Sequence, residues 1–123
     1  MSKILVVDDN RDVVFSVIDG LKSLGMSDDF LEANGGREAL EKMKDGEVDL
    51  ILLDIMMPDI DGWEVAASLK GNLKTKDIPI IFLTAKTDDL SKGIGNLASA
   101  DYVEKPFDIQ DLKNRIQAVL RKS

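Results

Sequence analysis

The 123-residue chain contains no histidine and no cysteine. Without histidine there is no His–Asp catalytic pair, no imidazole metal site and no phosphohistidine on this chain. Without cysteine there is no disulfide framework, thiolate nucleophile or sulfur-ligated metal. No apolar run approaches the ~20 residues of a membrane span, so membrane insertion is not expected. The amino terminus, Met1-Ser2-Lys3-Ile4, offers one basic residue and then four apolar residues before Asp8, too little for a signal peptide. The expected location is therefore the cytoplasm. Positive charge is also scarce: 16 Lys and Arg face 23 Asp and Glu, a net charge of −7. Nucleic-acid affinity draws largely on Lys and Arg against phosphates, so direct nucleic-acid binding is not expected.

The chain does have enough apolar residues, 44% of the total, for one domain over residues 1–123 with its own core. Short apolar runs alternate with amphipathic segments. Ile4–Val7, Phe30–Ala33, Leu50–Leu53, Ile78–Leu83 and Tyr102-Val103 read as strands. Leu50–Leu53 is wholly apolar, as a strand covered on both faces should be. Asp28 and Asp29 before Phe30 place that strand near a sheet edge, and Pro79 fits near the start of its strand. Val14, Val17, Ile18, Leu21 and Leu24 keep helical spacing, with Gly25 as the stop. Further helices are expected over Arg37–Lys44, after Asp61 as N-cap, weakly over Asp88–Leu97, and through Ile109, Leu112, Ile116, Val119 and Leu120. This is a βα unit repeated five times, which implies an α/β, doubly wound parallel sheet with helices on both faces. Ligands of such sheets bind outside the carboxyl ends of the strands.

The chemistry-bearing residues sit at those ends. Asp8-Asp9 follows the first run, Asp54 follows Leu50–Leu53, Thr84 ends the fourth run and Lys105 follows the last. Adjacent carboxylates repel unless a cation offsets the repulsion, and Mg²⁺ favours carboxylate oxygens, waters and phosphate oxygens. Asp9 or Asn10 also reads as the cap of the next helix, a role compatible with a metal. Beside a metal, the Asp54 carboxylate can attack phosphorus to form an acyl phosphate. In Asp54-Ile55-Met56-Met57-Pro58-Asp59-Ile60-Asp61-Gly62 the methionines can pack locally and the loop carbonyls can ligate a cation. Thr84 can donate to a phosphoryl oxygen. Lys105 has an electrostatic role among three carboxylates, and Lys105-Pro106 is a candidate cis bond.

With its Asp8-Asp9 pair, Asp54 and the Met-Met-Pro-Asp-x-Asp-Gly tail, Thr84-Ala85, and Asp101-Tyr102-Val103-Glu104-Lys105-Pro106-Phe107, the chain resembles the response-regulator receiver domains of two-component systems over essentially its whole length. The resemblance implies a flavodoxin-like fold with strand order 2-1-3-4-5. It implies Asp54 as phosphoacceptor, Asp9 as direct Mg²⁺ ligand, Asp8 as a ligand acting through water, and the Met56 carbonyl as the third protein ligand, with Mn²⁺ as an alternative ion. It further implies Thr84 as switch hydroxyl, Lys105 as phosphate-pairing lysine and Tyr102 as the aromatic that follows Thr84. The phosphoryl group would come from a sensor histidine kinase or phosphotransfer protein, and water would later remove it. The domain would catalyse only its own phosphorylation and dephosphorylation, act on an output protein or effector domain through the Asp88–Leu97 helix, the Tyr102 strand and the last helix, and be a monomer or a weak phosphorylation-dependent dimer.

The chain departs from the family around Ser91-Lys92-Gly93-Ile94-Gly95-Asn96, where two glycines fall inside an expected helix, and at Ala98-Ser99-Ala100, where many members carry Gly-Ala. A short or irregular helix is expected there. Three other readings are weaker. An aspartyl-nucleophile phosphatase wants a second Asp two positions after the nucleophile, where Met56 stands. A flavin module wants a Ser/Thr/Gly-rich loop after the first strand, where Asp8-Asp9-Asn10 stands. A phosphorylation-independent binding or dimerisation module usually lacks one of the pocket residues, all of which are present.

Overall fold

The computed structural model describes residues 2–85 and 101–122. Its elements are β1 (Lys3–Val7), α1 (Arg11–Ser23), β2 (Asp29–Ala33), α2 (Gly36–Met43), β3 (Leu50–Asp54), α3 (Gly62–Lys70), β4 (Ile80–Thr84), β5 (Asp101–Glu104) and α4 (Ile109–Lys122). The five strands are all parallel, in the order β2-β1-β3-β4-β5. The expected Asp88–Leu97 helix and the Ala98-Ser99-Ala100 segment lie outside the described residues. No described helix is long and apolar enough to cross a membrane.

Ile4–Val7, Leu50–Leu53 and Ile80–Leu83 in the central strands are wholly apolar because both faces of the sheet are covered there. Alternate residues feed two cores. Leu5, Val7, Ile51, Leu53, Ile80 and Phe82 face α2 and α3, where they meet Ala39, Met43, Val65, Ala66 and Leu69. Ile4, Val6, Leu50, Leu52, Ile81 and Leu83 face α1 and α4, where they meet Val14, Val17, Leu21, Leu112 and Ile116. The edge position of β2, anticipated from Asp28 and Asp29, is observed. Its two central residues, Phe30 and Leu31, are only half-buried.

Local chemistry sets the element ends. Asn10 Oδ1 accepts from the Asp12 N–H at 2.9 Å and caps α1, so the cap falls to Asn10 and not Asp9. Gly25, at φ +92°, turns the chain out of α1. Asp61 caps α3, its Oδ1 accepting from the Glu64 N–H at 2.9 Å. Asp108 Oδ1 accepts from the Gln110 N–H at 2.7 Å at the head of α4. The fourth strand begins two residues later than Ile78: Pro79 lies just outside it, yet its carbonyl accepts from the Ile51 N–H at 3.1 Å, so the ladder with β3 starts there. The last strand is longer than Tyr102-Val103 by one residue at each end.

Burial decides what a leucine contributes. Leu52 is fully buried and Leu73 is 86% exposed. Leu52→Ala should lower the unfolding free energy by about 2–5 kcal/mol, while Leu73→Ala should change it by less than about 0.5 kcal/mol. Urea denaturation of both variants checks the pair.

Candidate functional site

Because the strands are parallel and in register, their carboxyl ends deliver side chains to one edge. Val7 pairs with Leu53, and Asp54 pairs with Leu83. Asp8 and Asp9 therefore emerge beside Asp54, and Thr84 follows Leu83 on the neighbouring strand. Thr84 pairs with Glu104, which places Lys105 immediately beyond. The Lys105 N–H also donates to the Thr84 carbonyl at 2.6 Å, which anchors the lysine at the edge. The Lys105-Pro106 bond is cis, as anticipated.

The Lys105 ammonium bridges two carboxylates, at 2.9 Å from Asp8 Oδ2 and 3.1 Å from Asp54 Oδ1. Asp8 Oδ1 accepts from the Asn10 N–H at 3.0 Å. Asp8 and Asp54 are buried, only 2% and 5% exposed, and Asp9 is exposed. Carboxylate oxygens of Asp8, Asp9 and Asp54 lie within 4.8 Å of one another. Two unit charges at that separation repel by about 3 kcal/mol at an effective dielectric constant near 20. Among the described residues a single ammonium, that of Lys105, faces these three carboxylates, one positive charge against three negative. The donors are all hard oxygens, the set that Mg²⁺ takes, so the site fits a small divalent cation.

The crowding shows in the acid–base balance. Burial, then the charge of Asp8, pushes the Asp54 carboxyl up to about 6, with Lys105 pulling the other way. Burial works against the Lys105 charge, but the hydrogen bond to Asp8 and the charges of Asp54 and Asp8 outweigh it and hold this ammonium above its ordinary value.

The remaining residues occupy the surrounding positions. Thr84 is buried at the end of β4. Of the two methionines after Asp54, Met57 packs into the core and Met56 turns its side chain outward, 65% exposed. Tyr102 is half-buried, and its ring stacks on Phe82 with centroids 5.5 Å apart. Trp63 of α3 lies against the same pair, 4.6 Å from Phe82 and 6.4 Å from Tyr102. Sequence reasoning missed this three-ring cluster. Phe82 reads as one apolar strand residue among several, and only the β4–β5 register puts Tyr102 beside it.

The arrangement matches known proteins. The family model for the response regulator receiver domain matches residues 4–117. The chain is 39% identical over 122 residues to the alkaline phosphatase synthesis transcriptional regulatory protein PhoP of Bacillus subtilis, covering 98% of this chain and 49% of PhoP. It is 39% identical over 119 residues to a protein named probable cyclic di-GMP phosphodiesterase of Vibrio cholerae, covering 96% of this chain and 26% of that one. The solved chemotaxis protein CheY4 of Vibrio cholerae superposes with a TM-score of 0.85 at 28% identity, covering 97% of this chain and 98% of that one. The chain belongs to the response regulator receiver domain family, the signalling domains of two-component systems. Members of that family are phosphorylation-activated switches that take phosphoryl groups from histidine kinases, and they bind Mg²⁺ through an acidic cluster. The chain spans about half the length of PhoP and about a quarter of the phosphodiesterase.

The sign of the pH dependence follows from Asp54. Its folded-state value of about 6 lies above the ordinary 3.8, so the folded protein holds this proton more tightly. The stability so gained is complete below about pH 4 and is lost as pH rises through about 6. Removing Lys105 takes away the charge that lowers Asp54 and extends the loss to higher pH. Lys105→Met should cost about 2 kcal/mol near pH 8, below the ~3–5 kcal/mol of a broken, fully buried pair because the lysine side chain is 27% exposed. The deficit should shrink at pH 5. Urea melts at both pH values in chelator-treated buffer check this.

Proposed function

We propose that Asp54 is the phosphoacceptor of a Mg²⁺-dependent switch, charged by a sensor histidine kinase or a phosphotransfer protein. The observation that carries the reading is the Lys105 ammonium between Asp8 and Asp54, at an edge where three carboxylates converge. An oxygen of the Asp54 carboxylate attacks phosphorus of the partner's phosphohistidine. The P–N bond breaks, and the imidazole leaves with the electron pair and takes a proton from solvent. The donor is a separate protein or domain, because this chain has no histidine.

Asp8, Asp9 and Asp54, with the Met56 carbonyl, would hold Mg²⁺ or Mn²⁺. When bound, the ion offsets the charge of the carboxylates and of the phosphoryl oxygens. Lys105, already between the two buried aspartates, pairs with a phosphoryl oxygen. The Thr84 hydroxyl donates to another. Drawing Thr84 toward Asp54 opens space on the face that β4 and β5 share, and Tyr102 turns in response. The Phe82–Tyr102 stack, with Trp63 against it, couples any such motion to the ring cluster, since a ring cannot move there without repacking its neighbours. Water later attacks phosphorus, the P–O bond to Asp54 breaks, and the carboxylate and inorganic phosphate are released.

Relatives with different outputs share this segment, among them a transcriptional regulator and a named phosphodiesterase. The common property is the switch, and the output belongs to whatever protein or domain the switched face contacts. The phosphorylation-independent alternative is less favoured, since each pocket residue stands at its expected strand end.

Intact-protein mass after incubation with acetyl phosphate tests the assignment. One phosphoryl group should be added in the presence of Mg²⁺, none in chelator, and none on Asp54→Asn. Addition to Asp54→Asn, or none to the wild-type chain when beryllofluoride also fails to bind, would overturn it.

A further inference from the structure

The helix α2 lacks a cap of its own. Gly35 stands at its N-cap position and has no side chain to offer. The exposed amides of the first turn are met instead from the loop between β3 and α3, where Asp59 Oδ1 accepts from the Gly36 N–H at 3.2 Å and Oδ2 from the Arg37 N–H at 3.0 Å. Packing reinforces this clamp. A methyl group at Gly36 would sit 2.9 Å from the Ile60 carbonyl oxygen and collide with the Ile60 side chain. One at Gly35 would lie 3.1 Å from Asp59 Oδ2. The loop thus reaches α2 as closely as backbone allows.

The other end of the same loop is also pinned. The Gly62 N–H donates to the Ile55 carbonyl at 2.7 Å, and a methyl group at Gly62 would lie 2.5 Å from the Asp54 carbonyl oxygen. Between these anchors stands Met56, whose own side chain is 65% exposed, so its backbone is placed by its neighbours, the buried Ile55 and Met57 and the loop beyond.

We infer that Asp59 is a positioning residue, which by capping α2 fixes the 55–61 loop and with it the Met56 carbonyl as a ligand for the divalent cation. The inference rests on the reading of Met56 given above. Mg²⁺ demands near-ideal octahedral geometry, so a loop that must be ordered on binding loses affinity relative to one already held. Coupling is reciprocal: a cation that favours the ordered loop also favours the capped first turn of α2.

Isothermal titration of the full chain with Mg²⁺ tests this. The variants are Asp59→Ala, Asp59→Asn and, as a control, Asp49→Ala. Asp49 makes the same kind of clamp at the opposite edge of the sheet, its Oδ2 accepting from the Lys3 N–H at 2.7 Å. Asp59→Ala should weaken Mg²⁺ binding about tenfold, the lower end of what supporting residues of metal sites contribute. Asp59→Asn, which keeps one acceptor oxygen, should lose less and carries the test if the alanine variant does not fold. Asp49→Ala should stay within about twofold of wild type, the scatter of an ordinary surface substitution. In the wild-type chain, Mg²⁺ should also slow hydrogen exchange at the Gly36 and Arg37 amides. An unchanged affinity in Asp59→Ala, an equal loss in Asp49→Ala, or an Asp59→Asn loss as large as that of alanine would overturn the inference alone. A wild-type chain that binds no Mg²⁺ would overturn it together with the reading beneath it.

Discussion

Like charges brought together at the edge of the sheet are the constraint on which the rest of the structure turns. Asp8 and Asp54 are buried, Asp9 stands beside them, and one ammonium from Lys105 serves the group. An arrangement of this kind carries a standing electrostatic cost. Burial, and then the charge of Asp8, keeps the Asp54 carboxyl hard to ionise, while the hydrogen bond to Asp8 and the two carboxylate charges outweigh burial and keep the Lys105 ammonium hard to neutralise. In the function proposed above, a divalent cation would relieve the repulsion and a phosphoryl group would add charge for Lys105 to meet, so each event would change which contacts are most favourable.

The fold supplies the rigidity that this crowding needs. The apolar runs of β1, β3 and β4 form a sheet centre buried on both faces, and at the carboxyl end of each a polar group stands at the last residue or just past it. A one-residue slip of β1 or β3 would move Asp8 or Asp54 out of the site and exchange the side chains that the two cores bury. The two cores enforce the register, and the register enforces the site. Lys105 and Tyr102 come from the edge strand β5 or its end, which among the described residues pairs with β4 alone.

Much of this was legible in the residues. Leu50–Leu53 ending in Asp54, and Ile4–Val7 ending in Asp8-Asp9, mark buried strands whose acidic ends meet at one side of a parallel sheet, and it is that joint occurrence, not either run alone, that points to a site. Asn10, Asp61 and Gly25 mark helix ends by local chemistry, which is carried by neighbours in the chain. Of the contacts made across the chain, the place of Lys105 among the carboxylates was legible, though not that it bridges Asp8 and Asp54, 97 and 51 positions away. Other such contacts were not legible. Asp59 caps a helix that precedes it by more than 20 residues. Trp63, Phe82 and Tyr102 meet only because three elements converge on one face. Periodicity says which face a side chain occupies and is silent on which distant partner shares it. The start of β4 was misplaced because Ile78 looks strand-like, but its N–H is taken by the Thr75 carbonyl in the preceding turn.

The central claim is that Asp54 sits in uncompensated negative charge that a divalent cation relieves. The most direct measurement is the titration of the Asp54 side-chain carboxyl followed by carbon-13 NMR, with and without Mg²⁺. The account predicts a midpoint near 6 without metal and a marked displacement to lower pH when Mg²⁺ is saturating. An Asp54 that titrates at the ordinary carboxylate value and ignores Mg²⁺ would contradict it.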